Sequence, residues 1–312
     1  MKNENKTEST QKNTETNPKK LTVATAAVLV ACVVCAAIVG TFTVREYFFS
    51  GGNNDEEEIA CEIIELPAVI IEYGEEDKMP TVKDFLLAAI EPVGKCLYIY
   101  GGGWNEEDTG AGVEAMSYGV SPRWIEFFDE QDNTYKQEEH EYEIHNGLDC
   151  TGYLGYSVYQ VFGDRYADDG YVFTSGTVGD NYLRLFGGKL VPKAMAPKHR
   201  AGDIMNRRGH VWIALGECDD GSVLMLQASP PHVSFCGTPT SDGDKNSEAV
   251  MLAKKVMKTI VPEAFGRYSQ SCSCGTTYLT DYHCYSFPEE VLPDPDGLRE
   301  MTAAEVVAEL FG

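Results

Sequence analysis

Apolar and polar positions alternate along this chain in a few clear rhythms. Between residues 150 and 162, Leu154, Val158, Val161 and Phe162 recur at three- and four-residue steps. That spacing predicts a helix that starts at Cys150 and stops at Gly163. From residue 210 the period changes. His210 opens the run VWIALG, a polar turn from Glu217 to Ser222 contains Asp220-Gly221, and VLMLQAS returns, which predicts a β-hairpin. Thr81 to Ile90 reads as an amphipathic helix with Phe85, Leu86, Ala89 and Ile90 inward, ending near Pro92 and Gly94. Ser121 and Pro122 suit an N-cap and a first turn, with Trp124, Ile125 and Phe128 on one face. Ser247 caps a helix that buries Leu252, Val256 and Ile260, and Thr302 with Glu305 makes a capping box for a last helix ending at Gly312. The β-branched runs within 59–73 predict a strand. CLYIYGGGW at 96–104 predicts a short strand that breaks into three glycines, and residues 164–200 read as loops with short apolar stretches. No internal repeat is present.

The amino-terminal residues follow a different pattern. Residues 1–20 are polar and read as a disordered tail. Residues 21–44 contain no charge and are long enough to cross a hydrocarbon core of about 30 Å as a single transmembrane helix. The run is longer than a cleaved signal peptide uses, and no small-x-small cleavage site follows it. Leu29-Val30-Ala31-Cys32 resembles a lipoprotein box, but the run stays apolar well past Cys32. The tail carries five Lys against three Glu, whereas 20 basic and 46 acidic residues follow the run. This asymmetry places the tail in the cytoplasm, membrane contact at 21–44 and the bulk of the chain outside. Residues 45–75, with the acidic run Asp55 to Glu58, read as a linker, and 76–312 as one domain.

Charge excludes one class of partner. The net charge is −24, and nucleic acid is bound by neutralising phosphates with Lys and Arg. Eight cysteines lie beyond the apolar run: Cys61, Cys96, Cys150, Cys218, Cys236, Cys272, Cys274 and Cys284. An extracellular setting permits disulfides among them. Cys272, Cys274, His283 and Cys284 offer zinc-ligand chemistry, but their irregular spacing favours disulfides or burial, so no metal is expected.

The candidate chemistry starts at Cys150. The first turn of a helix has unpaired N–H groups that favour a thiolate, and Gly152 and Gly155 leave room for another segment to approach. Cysteine-peptidase chemistry also needs an imidazole, a group that holds the imidazole, and donors for an oxyanion. Of six histidines, His210 alone opens a long apolar strand, and Gln227 on the return strand offers a carboxamide oxygen to the ring. His232 is the fallback for that orienting role. The N–H of Cys150 and a hydroxyl such as Tyr98 are the oxyanion donors. The glycine run at 101–103 matches neither phosphate-binding pattern, GxGxxG or GxxxxGK[ST].

Taken in order, LYIYGGGW, GLDCTGYLGYSVYQVFG, AGDIMNRRGHVWIALG and VLMLQAS resemble the NlpC-type cell-wall endopeptidases, whose pattern is PYxWGG, DCSGxV, PGDLxxF…HVxIYxG and a final xHAS-like strand. The match runs from about Thr81 to Val233, roughly half the chain. The resemblance implies an α+β, papain-like domain in which the helix bearing the nucleophile packs on an antiparallel sheet. It implies that Cys150 attacks an amide carbonyl of a peptidoglycan stem peptide, that His210 is base and acid, that Gln227 orients it, and that Tyr98 helps hold the oxyanion. It also implies that Asp149 and Thr151 contact the substrate and that no cofactor is needed. Thr151 stands for the usual Ser, Ala201 for Pro, and Gln227 where His is commonest. An acidic insert at about 104–145 replaces a short connection, and a cysteine-containing extension follows Val233. The expectation is therefore a membrane-anchored extracellular thiol protease acting on the cell wall. The alternatives are an amide hydrolase or acyl transferase with a protein or other amide substrate, and a wall-binding module whose site has decayed.

Overall fold

The computed structural model describes residues 63–71, 78–192, 195, 198–268 and 271–312. The chain divides into two units, 1–58 and 59–312, and every described residue belongs to the second. The expected tail, the apolar run at 21–44 and Cys61 lie outside the described residues. No helix among the described residues is long and apolar enough to cross a membrane.

These residues form an α+β unit with seven α-helices and one mixed sheet of nine strands. The strands are β1 (Ile64–Leu66), β2 (Leu97–Tyr98), β3 (Gly147–Leu148), β4 (Gly188–Val191), β5 (Ile204–Arg207), β6 (His210–Glu217), β7 (Val223–Ser229), β8 (His232–Gly237) and β9 (His283–Ser286). Their order across the sheet is β1-β4-β9-β5-β6-β7-β8-β2-β3. All neighbours are antiparallel except β2 and β3, which run parallel. The sheet is therefore not purely antiparallel as expected. The helices are α1 (Val82–Ile90), α2 (Pro122–Glu130), α3 (Cys150–Phe162), α4 (Val178–Phe186), α5 (Glu248–Ile260), α6 (Pro262–Tyr268) and α7 (Ala303–Phe311).

The hairpin strands show how the sheet makes two cores. Successive side chains on a strand point to opposite faces. On β6, Val211, Ile213 and Leu215 pack with Leu224 and Leu226 of β7 in the main core, beside Leu154 and Val158 of α3. Trp212 and Ala214 face the other way, with Val223, Met225, Cys236 and Cys284, and there Cys274, Tyr278 and Leu279 cover them. The helices α1 and α3 thus lie on one side of the hairpin, and part of the chain after α6 lies on the other.

The strand expected within 59–73 is β1, which pairs with β4, Ile64 opposite Leu190. Several expectations require correction. In α2, Ile125 is exposed and Phe127 is buried with Trp124 and Phe128, so the inward face is turned by one position. In α5, Leu252 and Ile260 are half-buried, and Ala249, Val250, Ala253, Val256 and Met257 form the inward face. Residues 164–200 are not merely loop: α4 buries Val178, Tyr182, Leu183 and Phe186, and β4 follows directly. The carboxy-terminal extension is not an appendage. It supplies β9, which lies between β4 and β5.

Candidate active site

The three glycines after β2 bring the chain tightly against the start of α3. The Asp149 N–H donates to the Gly102 carbonyl at 2.9 Å, and the Ile99 N–H to the Leu148 carbonyl at 3.2 Å. A Cβ at Gly152 would overlap the Gly102 carbonyl oxygen, and a Cβ at Gly103 would press on the Gly152 Cα. The glycine run is thus a close-approach surface. Asp149 is the N-cap of α3, its Oδ1 accepting from the Gly152 N–H at 2.7 Å and from the Thr151 hydroxyl at 2.9 Å. The Trp104 indole N–H in turn donates to the Thr151 hydroxyl at 3.0 Å.

Cys150 stands at the first position of α3 and is 8% exposed. It shares a groove of about 250 Å³ with Tyr98, Tyr100, Trp104, Asp149, Thr151 and Gly209. Tyr100 and Tyr142 meet edge to face at 5.3 Å on its rim, which brings the acidic insert to the opening. Through Trp104, Asn105 and Glu106 the rim continues into a larger hollow of about 910 Å³, bounded by the insert and by Tyr159, Asp164 and Asp168.

Burial pushes the Cys150 thiol up to about 12, and the Asp149 carboxylate beside it adds to the rise; the main chain of Val211, Thr151 and Cys150 opposes it. The expectation that the helix start favours a thiolate is therefore reversed. Burial also pushes the Asp149 carboxyl up to about 6, against the Gly152 N–H, Thr151 and Trp104. Burial raises the Tyr98 hydroxyl as well, and the neighbouring Cys150 and Asp149 contribute in that order.

His210 and Gln227 meet as expected. The ring Nε2 lies 2.7 Å from the Gln227 Oε1. A carboxamide oxygen only accepts, so Nε2 carries the proton and Nδ1 is left with the lone pair. Burial lowers the imidazole to about 4; Gln227 pulls it up, and Arg207 lowers it further. At neutral pH this is a thiol with a neutral imidazole, not an ion pair.

The sulfur and the ring approach the sheet from different sides. The ring stacks on Trp212 at 5.7 Å, on the face opposite Val211, while Cys150 reaches the main chain of Val211 from the α3 side. They are neighbours through one residue of β6, and among the described residues no hydrogen bond joins Sγ to the ring.

His232 is not the orienting group. It is fully buried at the start of β8, where its Nδ1 pairs with the Val233 carbonyl at 2.8 Å and its ring packs on Tyr268. Two residues of the site escaped the sequence reading. Tyr278 meets the His210 ring edge-on at 5.6 Å, and its raised hydroxyl feels Cys150. Arg207 lies over the Tyr278 ring at 4.8 Å. Arg207 stands directly before the two-residue turn into His210, a place the sequence shows, but nothing in the spacing marks Tyr278. Cys272 and Cys274 line one cavity with Gln227, whereas His283 and Cys284 belong to β9. The four do not assemble as a zinc site: among the described residues the metal-like group is Cys218, Asp220 and Glu248. There both Asp220 oxygens already bond, one with Ser222 and the other with the Glu248 N–H at 2.8 Å.

No family model, no curated protein and no solved structure matches this chain.

Proposed function

We propose that this protein is a cysteine peptidase of the NlpC type, with a papain-like arrangement, that hydrolyses amide bonds in peptidoglycan stem peptides outside the membrane. The observation that carries the reading is the 2.7 Å His210–Gln227 pair at the mouth of the strand whose next residue meets the Cys150 sulfur. A neutral imidazole with Nε2–H held by Gln227 has its Nδ1 free to act as a base. Cys150 and Tyr98 line one groove, and its walls are polar enough to hold a peptide main chain.

In this reading the Cys150 proton passes to Nδ1 of His210 as sulfur bonds the carbonyl carbon. The oxyanion is met by the Cys150 N–H and the Tyr98 hydroxyl. The C–N bond then breaks, and the imidazolium returns its proton to the departing amine. Water, deprotonated by the same ring, hydrolyses the thioester. Asp149 and Thr151 line the groove beside the sulfur; the Asp149 Oδ1 and the Thr151 hydroxyl are committed to the helix cap and to Trp104, and in this reading Asp149 meets the substrate. Catalytic hydrogen bonds commonly tighten only around substrate, so this reading requires the His210 ring to close on the sulfur past the end of β6 when substrate binds.

The test is mass spectrometry of purified cell wall incubated with the full chain. Stem-peptide fragments are expected from the native protein and none from Cys150→Ser, with circular dichroism unchanged. If Cys150→Ser releases the same fragments, or if the native protein cleaves only protein amides, the reading is wrong.

A further inference from the structure

A row of sulfur atoms begins where the His210–Gln227 pair ends. Cys236 lies on β8 opposite Met225, so it shares a face of the sheet with Gln227. Cys274 packs against Cys236 on that face, and both line one cavity with Gln227; the Cys274 thiol donates to the Gly237 carbonyl at 3.4 Å. Cys274 is fixed there by the main chain. Its N–H donates to the Gly237 carbonyl at 3.0 Å, the Gly237 N–H donates to the Cys272 carbonyl at 2.8 Å, and Gly237 and Ser273 form a parallel bridge. Gln227, Cys236, Cys272 and Cys274 line one cavity of about 460 Å³. Cys236, Cys272 and Cys274 are all free thiols. The neighbouring Cys274 thiol lowers Cys236 from the usual thiol range, and the same contact raises Cys274, so Cys236 is the readier of the two to ionise. Cys272, pushed up to about 12 mainly by burial, feels Cys236 only as a nearby charge.

We propose that Cys236 and Cys274 are a modification site, a dithiol that a low-molecular-weight disulfide oxidises reversibly, and that this oxidation loosens Gln227 and with it the His210 ring. The second half rests on reading His210 and Gln227 as base and orienting group. The Cys236 thiolate attacks one sulfur of the small disulfide and displaces a thiolate. Cys274 gives up its proton and attacks the resulting mixed disulfide at Cys236, displacing the second small thiol. Two protein thiols become one disulfide, and one small disulfide becomes two small thiols. The Gln227 carboxamide beside it then faces a disulfide sulfur, which carries no charge, in place of a sulfur that ionises to attack. Charge-assisted hydrogen bonds are about twice as strong as neutral ones, so the carboxamide loses its anchor on the side away from His210.

The experiment uses the full chain with Cys150→Ala, so that the nucleophile is not itself oxidised. After incubation with oxidised glutathione, non-reducing peptide mapping is expected to show Cys236 joined to the peptide holding Cys272 and Cys274. The link should persist in Cys272→Ser, vanish in Cys274→Ser, and disappear on reduction. A link that survives Cys274→Ser, or no link at all, overturns the site. The second half is read by NMR from exchange of the His210 Nε2–H with water. Oxidation is expected to speed it roughly three- to tenfold, the scale of one hydrogen bond, and an unchanged rate overturns the coupling. Neither readout needs turnover, so failure of the peptidase reading is seen separately, in the cell-wall digest.

Discussion

At the scale of single residues, burial outweighs the helix end at Cys150. Three main-chain donors face the sulfur, yet the thiol is pushed up to about 12 because the site is dry and Asp149 is beside it. Removing that carboxylate charge while keeping the cap should reverse part of the effect. Asn also caps helices well, so Asp149→Asn is expected to keep the fold and to raise the rate of Cys150 alkylation at pH 7 several-fold, measured with iodoacetamide and mass spectrometry. Two buried imidazoles make a second prediction. His210 and His232 are both lowered to about 4 by burial. Between pH 6.5 and 4 the unfolded chain binds more protons at these rings than the folded one, so their contribution is present above 6.5 and fades as pH falls through 4. Each is worth at most about 3 kcal/mol. Asp149, raised to about 6, acts in the opposite direction and stabilises most below its unfolded pKa near 3.8. Two rings against one carboxyl should make the urea midpoint fall between pH 6.5 and 4.5, and His232→Gln should flatten that fall.

At the scale of elements, the approach of α3 to the glycine run depends on one missing side chain. Gly152→Ala drives a methyl into the Gly102 carbonyl. An overpacked contact of this kind costs typically about 1–3 kcal/mol, and the loss should appear as a lower denaturant midpoint with an unchanged slope. Helix caps were legible in the sequence because capping is local: Ser247 with Val250 and Thr302 with Glu305 bond as the spacing predicts, whereas Thr81, read as helical, is itself the cap and bonds Asp84. The α3 start and the β6–β7 hairpin were legible for the same reason. The His210–Gln227 pair followed from the hairpin, since two facing strands bring positions 210 and 227 to one end. Which face of α2 or α5 turns inward was less legible, because it is set by distant partners. Trp124 meets Tyr156 of α3 edge-on at 5.2 Å, and Arg267 lies over Phe128 at 5.0 Å. Helix α4 and strand β4 went unread because Gly187 and Gly188, both at positive φ, break the apolar run in two. Tyr278 and the cysteine row were invisible for a stronger reason: they reach the site only through tertiary packing on the far face of the sheet.

At the scale of the whole molecule, the strand order ties the site to the segment after α6. Tyr278 of that segment touches the His210 ring, and β9 pairs with β4 on one side and β5 on the other. A chain ending at Tyr268 is therefore expected to lose cooperative unfolding, seen by circular dichroism during a thermal scan, and not merely to lose activity. β9 joins its neighbours across long stretches of sequence, and such distant pairing slows folding. Its place also has a consequence for synthesis. Ribosomes deliver β4 and β5 well before β9, so each waits with a row of unpaired amides and carbonyls. Until the late strand arrives, those two edges can accept any extended segment that passes, including one from a sister chain. Between translating Val191 and translating Ser286 the place between β4 and β5 stays unfilled.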